Sequence, residues 1–283
     1  MSTLAQRLRF GPRLRFGLQL FVTLAACVFL VAPVLMSILA GVTRNYFIGI
    51  RSGLTLQWLA QVWELYRQTI YLSLQVALTC VAVTLVIGVP AAYVLAKSRS
   101  RLTRLVEELL VLPIAVPGLA TGLALILTYG GLREFRASWL FILVGHVLFT
   151  LPFMVRSVLA VMTTIDLNTL EEGAASLGAS FRQRLFGVIV PNVRSGILAG
   201  ALMVVTLSIG EFNITWMLHT PLTQTIPVGL ADTYASMRLE IGSAYTIVFF
   251  VMIIPLLIAM QMISGRRRPA RIVETADAGA ARE

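Results

Sequence analysis

Few side chains in this sequence could do chemistry, and Glu211 leads them. It is the only charged residue in the apolar stretch Ser195–Leu218. Ser208, Glu211 and Thr215 recur at i, i+3 and i+7, which puts them on one face of a helix. A charge deep in a membrane helix is unfavourable by about 2.5–3.5 kcal/mol on insertion scales. The face is therefore expected to line a translocation pathway or meet a partner; alternatively Glu211 ends the apolar segment and meets interfacial water. His146, one turn from Thr150, reads as a hydrogen-bonding residue between helices rather than a proton relay. Cys27 and Cys80 sit singly in apolar runs and offer no metal-ligand spacing. No G-x-x-x-x-G-K-S/T phosphate loop, H-E-x-x-H pair or G-x-S-x-G elbow occurs. No catalytic group, metal or cofactor is therefore expected in the chain itself.

Composition says what must carry these residues. Of 283 residues, 58% are hydrophobic and only 13% are charged, against about 25% charged in soluble domains. Such a chain cannot hide its apolar surface in one globule, so the expectation is an all-α membrane protein. Six stretches reach the roughly 20 apolar residues a spanning helix needs. They are Leu18–Leu39, Thr69–Ala96, Leu105–Thr128, Ser138–Val161, Ser195–Leu218 and Ile241–Ile263. The third carries Pro113, Pro117 and Gly118 and is the least regular. The first is too long for a signal-peptide core and reads as a retained anchor. With the N-terminus inside, seventeen of the 23 Lys and Arg residues fall in inside segments and six outside. That asymmetry predicts six transmembrane helices, N-in and C-in. It also accounts for the net charge of +10 without nucleic acid. The expected organisation is a cytoplasmic tail over 1–17, a transmembrane domain over 18–263 and a second cytoplasmic tail over 264–283. A long cytoplasmic loop covers about 162–194.

That loop has local order written into it. Thr169 with Glu172, and Ser180 with Gln183, both fit the S/T-x-x-E/Q capping box. Gly178 stands between them, where a helix end favours the left-handed conformation. Leu170, Ala174 and Leu177 share a face. The pattern predicts a short helix, a sharp turn, and a second helix ending near Val190, before Pro191. Small residues at Gly173, Ala174 and Ala175 would let another surface approach the backbone closely; an ordinary surface hairpin fits the spacing equally well. Gly118-x-x-x-Gly122 and Gly196-x-x-x-Gly200 suggest close helix packing.

The same loop resembles the EAA loop of binding-protein-dependent ABC importer permeases, whose form is E-A-A-x3-G-x9-I-x-L-P. Here it reads Glu172-Gly173-Ala174, then Gly178, then Val188-Ile189-Val190-Pro191. Gly173 replaces an Ala, and Val188 and Val190 replace Ile and Leu. The resemblance extends over about 65–263 and is nearest to the branch with polyamine, molybdate, sulfate and ferric-iron permeases. It implies a type I ABC importer permease fold in a bacterial inner membrane. It implies an ATPase-coupling loop built from Glu171, Glu172, Gly173, Ala174, Ala175, Leu177, Gly178, Ala179 and Pro191. The implied partners are a cytoplasmic ABC ATPase dimer that uses ATP and Mg, and a periplasmic or lipid-anchored solute-binding protein. One EAA-like loop cannot serve both halves of a dimeric ATPase, so a second permease subunit, identical or related, is also expected.

The resemblance leaves the substrate open. A polyamine-like small solute is the first reading, with an oxyanion, a phosphonate or ferric iron behind it. A secondary transporter is the alternative of another class, but it would need inverted repeats and several intramembrane ionisable groups. A membrane-embedded enzyme would need a nucleophile, dyad or metal cluster.

Overall fold

The structure, a computed structural model, describes residues 12–98 and 100–264. The tails expected over 1–17 and 264–283 lie largely outside them. Among the described residues every regular element is helical: α1 (Pro12–Gly41), α2 (Gln57–Lys97), α3 (Arg101–Ala115), α4 (Gly118–Tyr129), α5 (Arg133–Ala137) and α6 (Trp139–Met162). There follow α7 (Leu167–Ser176), α8 (Phe181–Arg184), α9 (Val190–Ile209), α10 (Asn213–Leu218), α11 (Ile226–Ala235) and α12 (Leu239–Ser264). Five helical runs are long and apolar enough to span a membrane; α3 and α4 make a sixth when counted as one broken span.

The break in that span has a local cause. Pro117 lacks an amide hydrogen and restricts the residue before it to extended backbone. Val116 is extended, with φ −85° and ψ 130°, and α4 leaves α3 at 103°. The span expected over Leu105–Thr128 is thus two helices with a corner. The fifth span also differs from expectation. α8 continues through a π-helical turn at Leu185–Ile189 into α9, giving one run over Phe181–Ile209. Pro191 follows that turn; it has no N–H to donate one turn back, which fits the widened ladder there. At the other end the helix stops at Ile209, not near Leu218, and restarts as α10.

The chain divides into two compact units. One comprises residues up to Tyr71 together with Gln224–Val251. In it Tyr66 and Tyr245 meet edge to face at 5.1 Å, and Arg238 donates to the Tyr66 hydroxyl at 3.2 Å. The other comprises Leu72–Thr223 and the residues from Met252. Its core gathers Cys80, Ala92, Met154, Val158, Ile189, Val193 and Val204 from α2, α6 and the α8–α9 run. Gly196 and Gly200 let α9 lie directly on α6: a β-carbon at Gly196 would come within 2.6 Å of the Ser157 carbonyl. The small-x-x-x-small spacing thus serves the close packing expected of it.

Candidate functional site

Two constellations in the second unit collect the residues that the sequence singles out. The first is the loop around α7. Asp166 begins the helix: its carboxylate accepts from the Thr169 amide at 3.2 Å and the Thr169 hydroxyl at 2.6 Å. The Thr169 bonds hold the Asp166 carboxyl below its ordinary value. The Thr169–Glu172 capping box is therefore corrected, because Thr169 already lies inside the helix and Asp166 takes the cap. The Ser180–Gln183 box does form. Ser180 N donates to Gln183 Oε1 at 2.8 Å, and Gln183 N to Ser180 Oγ at 3.5 Å. Between the two helices Gly178 adopts φ +79°. Its N–H bonds to Ala175 O, and Ala179 N to Ala174 O. This is the paired Schellman closure, and the left-handed residue it requires is a glycine.

α7 has two distinct sides. Leu167 and Glu171 are buried, and Leu170 and Ala174 are half-buried. Glu172, Gly173, Ala175, Leu177 and Gly178 are exposed; Ala179 is half-buried, and Pro191 is exposed at the start of α9. Leu177 is 89% exposed, so it leaves the face that the helical spacing assigns it with Leu170 and Ala174. Its backbone lies beyond the last turn of α7, where the Gly178 turn redirects the chain.

A carboxylate on the inner side of α7 needs partners, and Glu171 has them. Lys97 Nζ and Tyr93 Oη, both near the end of α2, donate to it. Burial pushes the Glu171 carboxyl upward, but the hydrogen bonds from Lys97 and Tyr93 outweigh it and hold the group below its ordinary value. Phe181 of α8 packs beside Tyr93 at 6.3 Å. Sequence reasoning placed Glu171 in the loop without this anchoring role. The signal was Leu167, Leu170, Glu171 and Ala174 at i, i+3, i+4 and i+7, a buried stripe that includes an acid. A cleft of about 1000 Å³ opens beside this anchor, lined by Lys97, Arg104, Glu107, Asp166 and Asn168 among others.

The second constellation surrounds His146. Ser208, Glu211 and Thr215 converge on it, although not as one continuous helical face. α9 ends before Glu211, and the Glu211 carboxylate caps the restart. Oε1 accepts from the Ile214 amide and Oε2 from the Thr215 amide, each at 2.8 Å. Thr215 Oγ1 lies 2.9 Å from Glu211 Oε2 and 2.8 Å from His146 Nε2. Ser208 Oγ lies 2.8 Å from His146 Nδ1. The Glu211 oxygens act as acceptors throughout. Thr215 then donates to Glu211 and accepts from His146 Nε2–H, which leaves Nδ1 to accept from Ser208. One neutral tautomer of His146 satisfies the whole set. All four side chains are buried within this chain. Three donors to the Glu211 oxygens offset part of the cost of burying the group. Thr150 continues the network, with its hydroxyl on His146 O at 2.7 Å and beside Cys80 Sγ at 3.2 Å.

Each Glu211 oxygen accepts from a backbone N–H, and Oε2 also from the Thr215 hydroxyl. The NH2 group of Glu211→Gln therefore faces a donor in either orientation and leaves at least one buried N–H unsatisfied, at about 1–3 kcal/mol. Glu211→Gln is expected to lower the apparent melting temperature of the purified protein, and Glu211→Leu to lower it further. Thermal unfolding indistinguishable from the parent in both would contradict the capping geometry.

Several helices of membrane length, one further pair broken at Pro117, and the capped turn around Gly178 are the features of a polytopic membrane protein. Residues 85–269 match the family described as binding-protein-dependent transport system inner membrane component, and the chain belongs to that family. It is the permease subunit of an ABC importer. The sulfate transport system permease protein CysW of Synechocystis is 27% identical over 71% of this chain and 78% of its own length. The molybdenum transport system permease protein ModB of Azotobacter vinelandii is 27% identical over 70% and 93%. The putrescine transport system permease protein PotI of Escherichia coli is 24% identical over 77% and 80%. Among solved structures, a bacterial alginate ABC transporter in complex with alginate pentasaccharide-bound periplasmic protein matches in fold. Its TM-score is 0.72 at 14% identity, covering 89% of this chain and 94% of that one.

Proposed function

We propose that this permease forms the solute route across a bacterial inner membrane and is driven through α7 by a separate ABC ATPase. The observation that carries the reading is the two-sidedness of α7. Glu171 is fastened to α2 from within, while Gly173, Leu177 and Gly178 stand outward with open space around the two glycines. A rigid ledge with small residues suits a partner that must both approach closely and pull. ATP and Mg belong to that partner, and a second permease subunit, identical or related, supplies the other ledge. A periplasmic or lipid-anchored solute-binding protein delivers the substrate. On this reading Ser208, Glu211 and Thr215, joined through His146, border the route and fix where the fifth span breaks. Co-purification with the neighbouring ATPase, followed by ATPase and uptake assays in proteoliposomes, tests the coupling. Stable assembly and transport after deletion of α7 would overturn it.

The first reading of the substrate is a polyamine-like small solute, supported by the putrescine relative. The sulfate and molybdenum relatives favour a second reading, a small oxyanion. Mass spectrometry of the ligand on the co-purified binding protein decides between them.

The proposed topology has six spans with both termini inside. It predicts that Ser100→Cys, Ser180→Cys and Ser264→Cys, in a background lacking Cys27 and Cys80, are protected from an impermeant thiol reagent in intact cells. Thr220→Cys should react. Labelling of Ser180→Cys from outside would overturn the orientation and the coupling role together.

A further inference from the structure

The connection between α1 and α2, Val42–Leu56, is tied together by hydrogen bonds while its surface is apolar. Thr55 N donates to Val42 O at 2.8 Å, and Arg44 N to Gly53 O at 3.0 Å. Asn45 Oδ1 accepts from the Phe47 and Ile48 amides at 2.9 and 3.1 Å. Ser52 Oγ accepts from Asn45 N at 3.1 Å and donates to Gly49 O at 2.6 Å. Trp58 Nε1 closes the base on Thr43 O at 2.8 Å, and Tyr46 N donates to Glu240 Oε1 at 2.9 Å. With the backbone thus satisfied internally, the side chains that would form a core point outward instead. Tyr46, Phe47, Ile48, Ile50, Leu54 and Leu56 are all exposed, Phe47 by 80%.

Two further observations say what covers this surface. Its own charges are Arg44 and Arg51, both exposed, residues 42–63 contain no Asp or Glu, and the one carboxylate bonded to it, Glu240 of α12, accepts from the Tyr46 amide. The knuckle also begins one residue after Phe16–Gly41, a 26-residue apolar helix whose most apolar window has no buried residue. A helix of that length and character ends at the level of the lipid headgroups. Aromatic rings beside cations are the composition found at that level. Acyl chains accept the aliphatic and aromatic groups, and lipid phosphates pair with the guanidinium groups.

We infer that the Val42–Leu56 knuckle is a lipid-binding anchor, seated in the headgroup region of the adjoining leaflet and preferring anionic phospholipid through Arg44 and Arg51. Its apolar side chains stay in lipid throughout the transport cycle, and the rigid loop fixes the entry of α2 relative to the membrane surface.

The test uses the assembled transporter lacking Cys27 and Cys80, carrying Phe47→Cys or Ile50→Cys labelled with an environment-sensitive fluorophore. It is reconstituted in phosphatidylcholine vesicles, with or without phosphatidylglycerol. The expected result is blue-shifted emission, quenched by a spin label placed high on the acyl chain and not by aqueous iodide, with no binding protein present. Phosphatidylglycerol should strengthen lipid quenching several-fold, and Arg44→Gln with Arg51→Gln should abolish that gain. Water-like emission with iodide quenching would overturn the anchor. So would a blue shift without lipid quenching, or one appearing only on adding the binding protein, since a protein would then be the occupant. An unchanged phosphatidylglycerol effect in the arginine variant would overturn the assigned lipid preference.

Discussion

Gly178→Asp is expected to yield a membrane-inserted permease that has lost coupled transport by about tenfold or more, the change that ~1.4 kcal/mol makes to an equilibrium. Two physical effects combine. At φ +79° an L-residue meets a penalty of about 1–2 kcal/mol, with Asp among the least affected types. No atom lies within 4 Å of a β-carbon placed there, so the substitution creates no clash in the chain itself. What it adds is a charge on the outward ledge beside Leu177. Gly178→Ala separates the effects, because it introduces the backbone strain without the charge. Uptake and ATPase stimulation should fall modestly with Ala and severely with Asp, at equal expression. Equal losses would assign the effect to the turn alone. Normal uptake with Asp would remove this surface from the coupling interface.

The sequence was most legible where local rules act alone. Five of the apolar stretches fall on helices long enough to span and the sixth on the broken α3–α4 pair, the Ser180–Gln183 box forms, and Gly178 takes the left-handed turn. These depend on neighbours within a few residues. Legibility failed where a distant partner chooses among local options. Asp166 and Thr169 are both acceptable caps by type, and the helix starts from Asp166 because Leu167 and Glu171 must face inward. Ser208, Glu211 and Thr215 satisfy a helical period, yet the helix breaks between them. The buried carboxylate is better satisfied by the free amides of a new helix start and by the Thr215 hydroxyl, which is itself held by His146, some sixty residues earlier in sequence. The resemblance drew attention to the loop around α7, but the acid that fastens that loop to α2, Glu171, lies one residue before the Glu that carries the motif.

That acid leads to the second large effect. In Lys97→Met, Glu171 keeps its buried position and its bond from Tyr93 but loses its cation. An uncompensated buried charge costs about 3–5 kcal/mol when water is fully excluded. Here the Lys97 side chain is 39% exposed against 5% for Glu171, so water entering from the lysine side reduces the figure to about 1–3 kcal/mol. The expected result is a chain that still inserts but holds its ATPase weakly, with transport down by about tenfold. The pH dependence carries the sign. In the parent protein the Glu171 carboxyl is held below its ordinary 4.5. Its contribution is therefore complete above that value and lost only as pH falls through the lower folded value. Without Lys97, burial is opposed only by the Tyr93 bond and the Arg184 charge, and the folded value moves up. Loss of anchoring then begins at higher pH than in the parent, so the acid limb of the coupled ATPase profile should shift upward. Lys97→Arg keeps the charge and should restore most of the activity. Lys97→Met combined with Glu171→Leu removes both charges and should assemble better than Lys97→Met alone, because no unpaired carboxylate remains. An unshifted acid limb in Lys97→Met, or a double variant no better than the single, would show that α7 is held by its apolar contacts and not by this pair.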